Sequence, residues 1–419
     1  MKPSRFTSFS ALFLVAGCLQ AQAQDPTPTP TPTPPQAVDV QKELAAQRAR
    51  IAELEKKAND PKLKFPEELN FFALIDTTFV ATTNATADGR TKIDMAVPYM
   101  SGSRFRIFGK IKTNILDLNV LYKLETEYVT NTGEMDTPNV IFNRDAWVGF
   151  SHKDLGQIAF GRQNTLARDF AVIYGDPFAH PEVNYDEGGW TNTNNFKQLI
   201  YFAATVDGTR MNRGIVWKRT PTEGLVLGAA YNLTSTETDT STRNSTACLA
   251  AGWNAPTYHV STFYSQANNH GFTQQSFSIG GNVAPAPWLR LNAGFFYYTA
   301  DQGDLNPTRK DSAFTVSAGF YPHEKWSYFL GFQSMKANDA GLNASGFMQN
   351  PFSNGAASTL FGTGRKDTGY GAIWRRLSKR MEAYLVLDYM KLHDGYRLSG
   401  THGYDNQLEI GLGVRIRAL

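Results

Sequence analysis

Basic and apolar residues alternate in the segment SRFRIFGKIK. Arg104, Arg106, Lys110 and Lys112 fall on one face of an extended strand, with Phe105, Ile107 and Ile111 on the other. The next segment, VLYKLETEY, places Lys123, Glu125 and Glu127 on one face and Tyr122, Leu124 and Tyr128 on the other. Residues of these types at this spacing present rows of fixed charge, which attract and orient charged solutes. Covalent chemistry has no comparable support. HExxH, GxSxG and the Walker-type GxxxxGK are all missing from the sequence. Its histidines, His152, His180, His259, His270, His323, His393 and His402, are scattered without metal-ligand spacing. No catalytic residue, metal site or cofactor is therefore predicted, and the chain does not read as an enzyme.

Charged strand faces need neighbouring strands to hold them. The stretch 144–189 shows how the chain supplies them. Ala146, Val148 and Phe150 alternate with Asp145, Trp147 and Gly149, a polar turn follows at 151–156, and residues 157–162 return as a second strand. The alternation then stops. A long irregular segment carrying Asp176, Glu182, Asp186 and Glu187 runs until a strand restarts near Asn212. Segments of that length inside compact domains are uncommon and usually functional. In a closed barrel such a loop can fold inward and narrow the lumen, which is the reading adopted.

Between Leu69 and Leu419 the rhythm predicts strands at 69–80, 103–112, 118–129, 141–151, 157–163, 212–219, 224–233 and 246–254. The remainder fall at 257–266, 274–283, 287–299, 311–321, 325–337, 367–377, 380–391 and 406–417. The expected fold is all-β: a transmembrane antiparallel β-barrel of about sixteen strands, large enough for an aqueous channel. Closure follows from the solvent, because lipid cannot satisfy the hydrogen bonds of an open sheet edge. Short turns at 220–223 and 377–379 belong at one end, and long connections such as 84–99 and 338–366 at the other. Charges at mid-bilayer on the lipid side would cost about 2–4 kcal/mol each, so the charged faces point into the lumen. A hydrophobic content of 42% and a mean hydropathy of −0.36 do not oppose this, because the two faces average out.

The segment before the barrel divides into three. Residues 1–23 read as a secretory signal, with Lys2 and Arg5 ahead of an apolar run and a small-x-small site at 21–23. The run is too short for a transmembrane helix. Val15-Ala16-Gly17-Cys18 also resembles a lipoprotein processing box, so ordinary cleavage and lipidation of Cys18 are both open. Residues 24–36 form a Pro/Thr-rich spacer that favours extended polyproline II. Residues 37–64 read as a periplasmic coiled-coil helix, with Val40, Leu44, Ile51 and Leu54 as its core. Arg50 and Glu55 flanking that core resemble a trimer-specifying pattern. Cys248 has no partner once Cys18 is removed, which excludes a disulfide framework.

The runs AWVGF and LGQIAFGRQNT, followed by the acidic loop, resemble the trimeric general-diffusion porins of Gram-negative outer membranes, most of all those of the Burkholderia relatives. LNFFALIDTTF and SGSRFRIFGK resemble the first two strands of that family, and NRGIVWKRTPTEGLVLGAAYN its sixth and seventh. The likeness covers roughly Leu69 to Asn232; beyond that it rests on strand rhythm and the last strand. There, LEIGLGVRIRAL alternates Leu408, Ile410, Leu412, Val414 and Ile416 but lacks the terminal aromatic usual in the family.

The resemblance implies a homotrimer in outer-membrane lipid with no nucleic-acid partner, its N-terminal arm in the periplasm, reaching peptidoglycan or a periplasmic protein. By family position Arg104, Arg144 and Arg213 match the basic wall of the constriction, with Arg106, Lys110, Lys123, Glu125 and Arg162 also lining the lumen. Glu182 is the best match for an opposing loop acid, with Asp176, Asp186 and Glu187 as further candidates. The implied function is passive diffusion of small hydrophilic solutes and ions through a water-filled channel. The alternatives are a channel specific for phosphate, sugar or dicarboxylate, and a structural link to the cell wall. Charge leaves ion selectivity open: the formal total is +3, and the barrel alone is near neutral.

Overall fold

The computed structural model describes residues 48–50, 53, 69–96, 99–113, 115–185, 195–196, 204–205, 208–233, 244–269, 271–351 and 358–418. The chain divides into two units, Met1–Lys64 and Phe65–Leu419. In the first, residues 48–50 and Glu53 are helical and exposed. The signal, the spacer and the coiled-coil core positions Val40, Leu44, Ile51 and Leu54 lie outside the described residues.

The second unit is built of strands β1 (Leu69–Thr82), β2 (Lys92–Ala96), β3 (Ser103–Lys112), β4 (Asn119–Tyr128), β5 (Asp145–His152) and β6 (Gly156–Asn164). Helix α1 (Leu166–Gly175) follows. The chain then continues as β7 (Arg210–Arg219), β8 (Gly224–Asn232), β9 (Asn244–Asn254), β10 (Tyr258–Asn269), β11 (Phe272–Ala286) and β12 (Leu289–Ala300). The last five are β13 (Arg309–His323), β14 (Trp326–Gly341), β15 (Phe361–Arg376), β16 (Met381–His393) and β17 (Asn406–Ala418). All pairings between strands are antiparallel neighbour to neighbour, and β17 closes the sheet on β1 over Ala73↔Ala418 to Thr82↔Glu409. β2 and β3 both pair with the same edge of β1, at Thr78–Thr82 and Leu69–Leu74 respectively, so the 17 strands fill sixteen positions in the wall.

The side-chain period of two sorts the barrel. Phe71, Phe79, Phe105, Val148, Phe160, Phe277, Leu330, Leu387 and Leu412 are exposed on its outside. The alternate positions carry Asp76, Thr78, Glu125, Ser278, Thr315, Gln333, Asp388 and Glu409, all buried on its inside. That is the reverse of a soluble protein and fits a wall with lipid outside and water within. No helix among the described residues is long and apolar enough to cross a membrane, which says nothing about strands.

Three expectations are corrected. The connection 84–99 contains a strand: β2 pairs with β1, and the second wall strand is interrupted between Ala96 and Ser103, where Tyr99 and Met100 are buried. The segment after Arg162 is not irregular at its start, because ten residues of it form α1. The outer connection expected at 338–366 is shorter, since β14 runs on to Gly341 and β15 begins at Phe361.

Candidate functional site

Helix α1 explains how a channel of this width is narrowed. Thr165 caps it, accepting from the Arg168 N–H, and all ten of its residues are buried. Leu166, Phe170, Ile173 and Tyr174 recur at helical spacing and pack with Val216, Val226, Phe263 and Phe296 on the inner wall. The wall is hollowed to receive them. Gly280 and Gly294 face each other across β11 and β12, and a Cβ on Gly294 would sit 2.3 Å from the Tyr174 ring. The Tyr174 hydroxyl hydrogen-bonds with that of Ser278.

Polar groups hold what packing does not. The Lys218 ammonium reaches Asp169 at 2.7 Å, Ser261 donates to the Phe170 carbonyl, and Asn282 donates to those of Ile173 and Pro181. Further along, Ser265 on β10 donates to the Ala204 carbonyl. Thr368 on β15 donates to the Asn195 carbonyl, while Asp388 on β16 accepts the Phe196 N–H at 2.6 Å. The described residues of this loop therefore touch walls on β10, β11, β15 and β16, inside the lumen. Aromatic contacts fasten it: Phe178 meets Phe329 at 4.7 Å and Trp374 at 6.0 Å between ring centroids, and Phe196 meets Tyr370 at 4.2 Å. Such pairs contribute about 0.5–1.5 kcal/mol each beyond area burial.

The predicted basic wall is assembled around one carboxylate. Register sets Arg106 opposite Glu125, and Arg104 opposite Glu127. Glu125 is fully buried and is shared by Arg104 (3.8 Å), Arg106, Arg144 and Lys123 (3.8 Å). Arg144 also pairs with Glu127, and Lys123 with Asp145 at 2.6 Å. Arg162 donates to the Asn143 carbonyl and to Asn212. Lys110 continues the face of Arg104 and Arg106 and is exposed.

Arg213 is placed differently. The β6–β7 register shifts between Gly161 and Gln163, and Arg213 sits in the bulge with φ of 49°. It is exposed and shares parity with outward Ile215, whereas Arg210 is buried and donates to the Arg144 carbonyl. Of the loop acids, Asp176 is buried at the helix C-terminus, accepting the Phe178 N–H at 2.9 Å. Glu182 is half-buried within electrostatic reach of His259 on β10. Asp186 and Glu187 lie outside the described residues.

Four arginines join the site without having been singled out. Arg415 and Arg417 on β17 pair with Glu382 at 2.7 and 2.9 Å, and Arg415 stacks on Trp374 at 4.4 Å. Arg290 on β12 donates to the carbonyls of Pro177 and Ala179 on the loop. Arg376 ends β15 and has no ion pair among the described residues. The alternation that marks Arg104 and Arg106 marks Arg415 and Arg417 too, in VRIR, but the family resemblance in detail ends near Asn232 and does not reach them. Together these arginines border a chamber of about 770 Å3 with Phe72, Phe178 to Pro181 and Phe329. None of the described residues lining it is Asp or Glu. No group of three or more His, Cys, Asp or Glu among the described residues is placed to hold a metal ion.

A closed barrel with an inward loop and a charged waist is one architecture; kinship is a separate observation. The sequence profile described as Gram-negative porin matches residues 10–395. The chain belongs to the Gram-negative porin family. Solved porins share its fold at low identity. The anion-selective porin of Comamonas acidovorans superposes with a TM-score of 0.61 at 15% identity, over 84% of this chain and 99% of that one. OmpT, an outer membrane protein of Vibrio cholerae, does so in its trimer form at 0.58 and 14%, over 84% and 99%. OmpF of Salmonella typhi gives 0.53 and 16%, over 83% and 97%. No curated protein sequence matches the chain significantly. This porin lies in the outer membrane and forms a water-filled channel for passive diffusion of small hydrophilic solutes and ions. Its family and fold are those of channels rather than enzymes.

Proposed function

We propose that this porin is a general-diffusion channel that prefers anions. One observation carries the reading: the two carboxylates shared by several cations, Glu125 and Glu382, stand behind their guanidinium partners. Arg104, Arg106, Lys123, Arg144, Arg290, Arg376, Arg415 and Arg417 are accompanied by Asp76, Glu125, Glu127, Asp145 and Glu382. Glu125 is 0% exposed, while the side chains of Arg104, Arg106 and Arg417 are 17%, 18% and 39% exposed. An ion in the channel meets the cations first. Low-dielectric walls focus their field, and the hidden carboxylates serve mainly to keep like charges from repelling one another. Among the described loop acids Asp176 accepts the Phe178 N–H at the helix end, and neither it nor Glu182 lines the chamber.

The selectivity of the Comamonas acidovorans porin agrees with this reading. The remaining features follow the family resemblance: a homotrimer, with short turns and the N-terminal arm on the periplasmic side and the arm free to meet peptidoglycan or a periplasmic protein. Reversal potential across a KCl gradient in planar bilayers tests the selectivity. The wild type is expected to read towards the chloride potential, and Arg104→Ala with Arg417→Ala towards the potassium potential. A cation-selective wild type sinks the proposal.

A further inference from the structure

The chamber walls are not only charged. Phe178 from the loop, Phe329 from β14 and Tyr321 from the end of β13 form an aromatic corner. Phe178 and Phe329 are tilted at 4.7 Å, and Tyr321 and Phe329 are edge-on at 5.9 Å. A second cavity of about 190 Å3 adjoins the chamber, and the two share Phe178, Phe329, Arg376, Arg415 and Arg417. The same space therefore meets aromatic side chains, Phe329 buried and Phe178 and Tyr321 half-buried, beside guanidinium groups, with Glu324 and Glu382 also lining the smaller cavity. Leu289 and Pro287 extend the apolar surface within the larger chamber. Of the three shared arginines, Arg415 and Arg417 divide one carboxylate, Glu382, and Arg376 has no ion pair among the described residues.

Besides fastening the loop, these rings put apolar surface into a chamber lined by arginines, which passing small ions alone does not require. Chloride or phosphate gains nothing from Phe178, Tyr321 and Phe329. A neutral sugar gains nothing from three arginines that lack a matching number of carboxylates. A planar ring bearing a carboxylate uses both, with its anionic end in the guanidinium forks and its face against the aromatic corner.

We propose that this chamber is a binding site for aromatic carboxylates, occupied in transit. The inference rests on the anion-preferring reading above and names the solute class within it. Affinity must stay modest, because a solute that cannot leave blocks the channel instead of crossing it. Saturation is the expected signature.

The test uses the full-length porin in planar bilayers carrying chloride current, with benzoate, acetate and benzamide as probes. Benzoate is expected to reduce the current in a saturable manner at concentrations where acetate, which lacks the ring, and benzamide, which lacks the charge, leave it unchanged. Tyr321→Ser and Phe329→Leu sample the corner separately, in case one fails to assemble. In either, the half-blocking benzoate concentration should rise about fivefold, the scale of one lost aromatic contact. Acetate blocking as strongly as benzoate, or an assembled variant with unchanged block, overturns the inference while a chloride-selective reversal potential leaves the anion preference standing. A cation-selective reversal potential removes both.

Discussion

Glu125 and Arg417 show how differently two charges of one waist behave. Glu125 has no contact with water and four cations around it. Removing one partner of a buried ion pair leaves the others uncompensated, at a cost of about 3–5 kcal/mol. Glu125→Leu should therefore lower resistance to urea and heat markedly, as read by the loss of β-signal in circular dichroism. Arg417, 39% exposed beside a half-buried Glu382, should lose under about 1 kcal/mol on change to Ala, with its effect confined to selectivity. Equal destabilisation by the two would refute the layering of acids behind bases. At this scale the sequence was readable wherever the pleat was regular, because a period of two puts Arg104, Arg106 and Glu125 on one face. Arg213 was a match by family position and not by alternation; it sits in the β7 bulge and is exposed, and no residue type announces that bulge.

Among the elements, α1 makes the constriction and the wall makes room for it. Gly294 faces Tyr174 so closely that a Cβ would stand 2.3 Å from the ring, and Gly280 from the adjoining strand repeats the approach at 2.5 Å. Gly294→Val should lift the helix from the wall, at a cost of about 1–3 kcal/mol from overpacking. The same change in a Tyr174→Ala background should cost far less, because the two side chains then no longer compete for one space. A double-mutant cycle of urea midpoints measures that coupling, and additive effects would show that the ring does not lie in the glycine hollow. The strands were legible from alternation and turn chemistry, to within a few residues at most ends. The helix was not read, although Thr165 offers a cap and Leu166, Phe170, Ile173 and Tyr174 fall at helical spacing. Its apolar stripe packs inside a channel, where a loop facing water would be expected to be polar. Only the wall it covers makes sense of it.

For the whole molecule, the question is what would hold the three barrels of the proposed trimer together. Closure of β17 on β1 completes each wall without help from another copy, so the barrel has no open edge for a neighbour to satisfy. Association in the proposed trimer must then come from side chains on the outside, where broad apolar surfaces are available along many strands. The coiled coil expected at 37–58 adds about three heptads, and isolated helices of that length are marginal in water. Its natural role is accessory: three short helices gain stability only once the barrels have brought them together. Removing residues 25–64 should therefore leave a trimer in detergent, with a lower melting temperature than the full chain. The isolated peptide 36–64 should be weakly helical and should associate only at high concentration. Analytical ultracentrifugation of both pieces decides the matter. A truncated barrel that sediments as a monomer would make the helical segment the principal trimer contact, and a peptide that forms stable dimers would break its match to a three-fold barrel assembly.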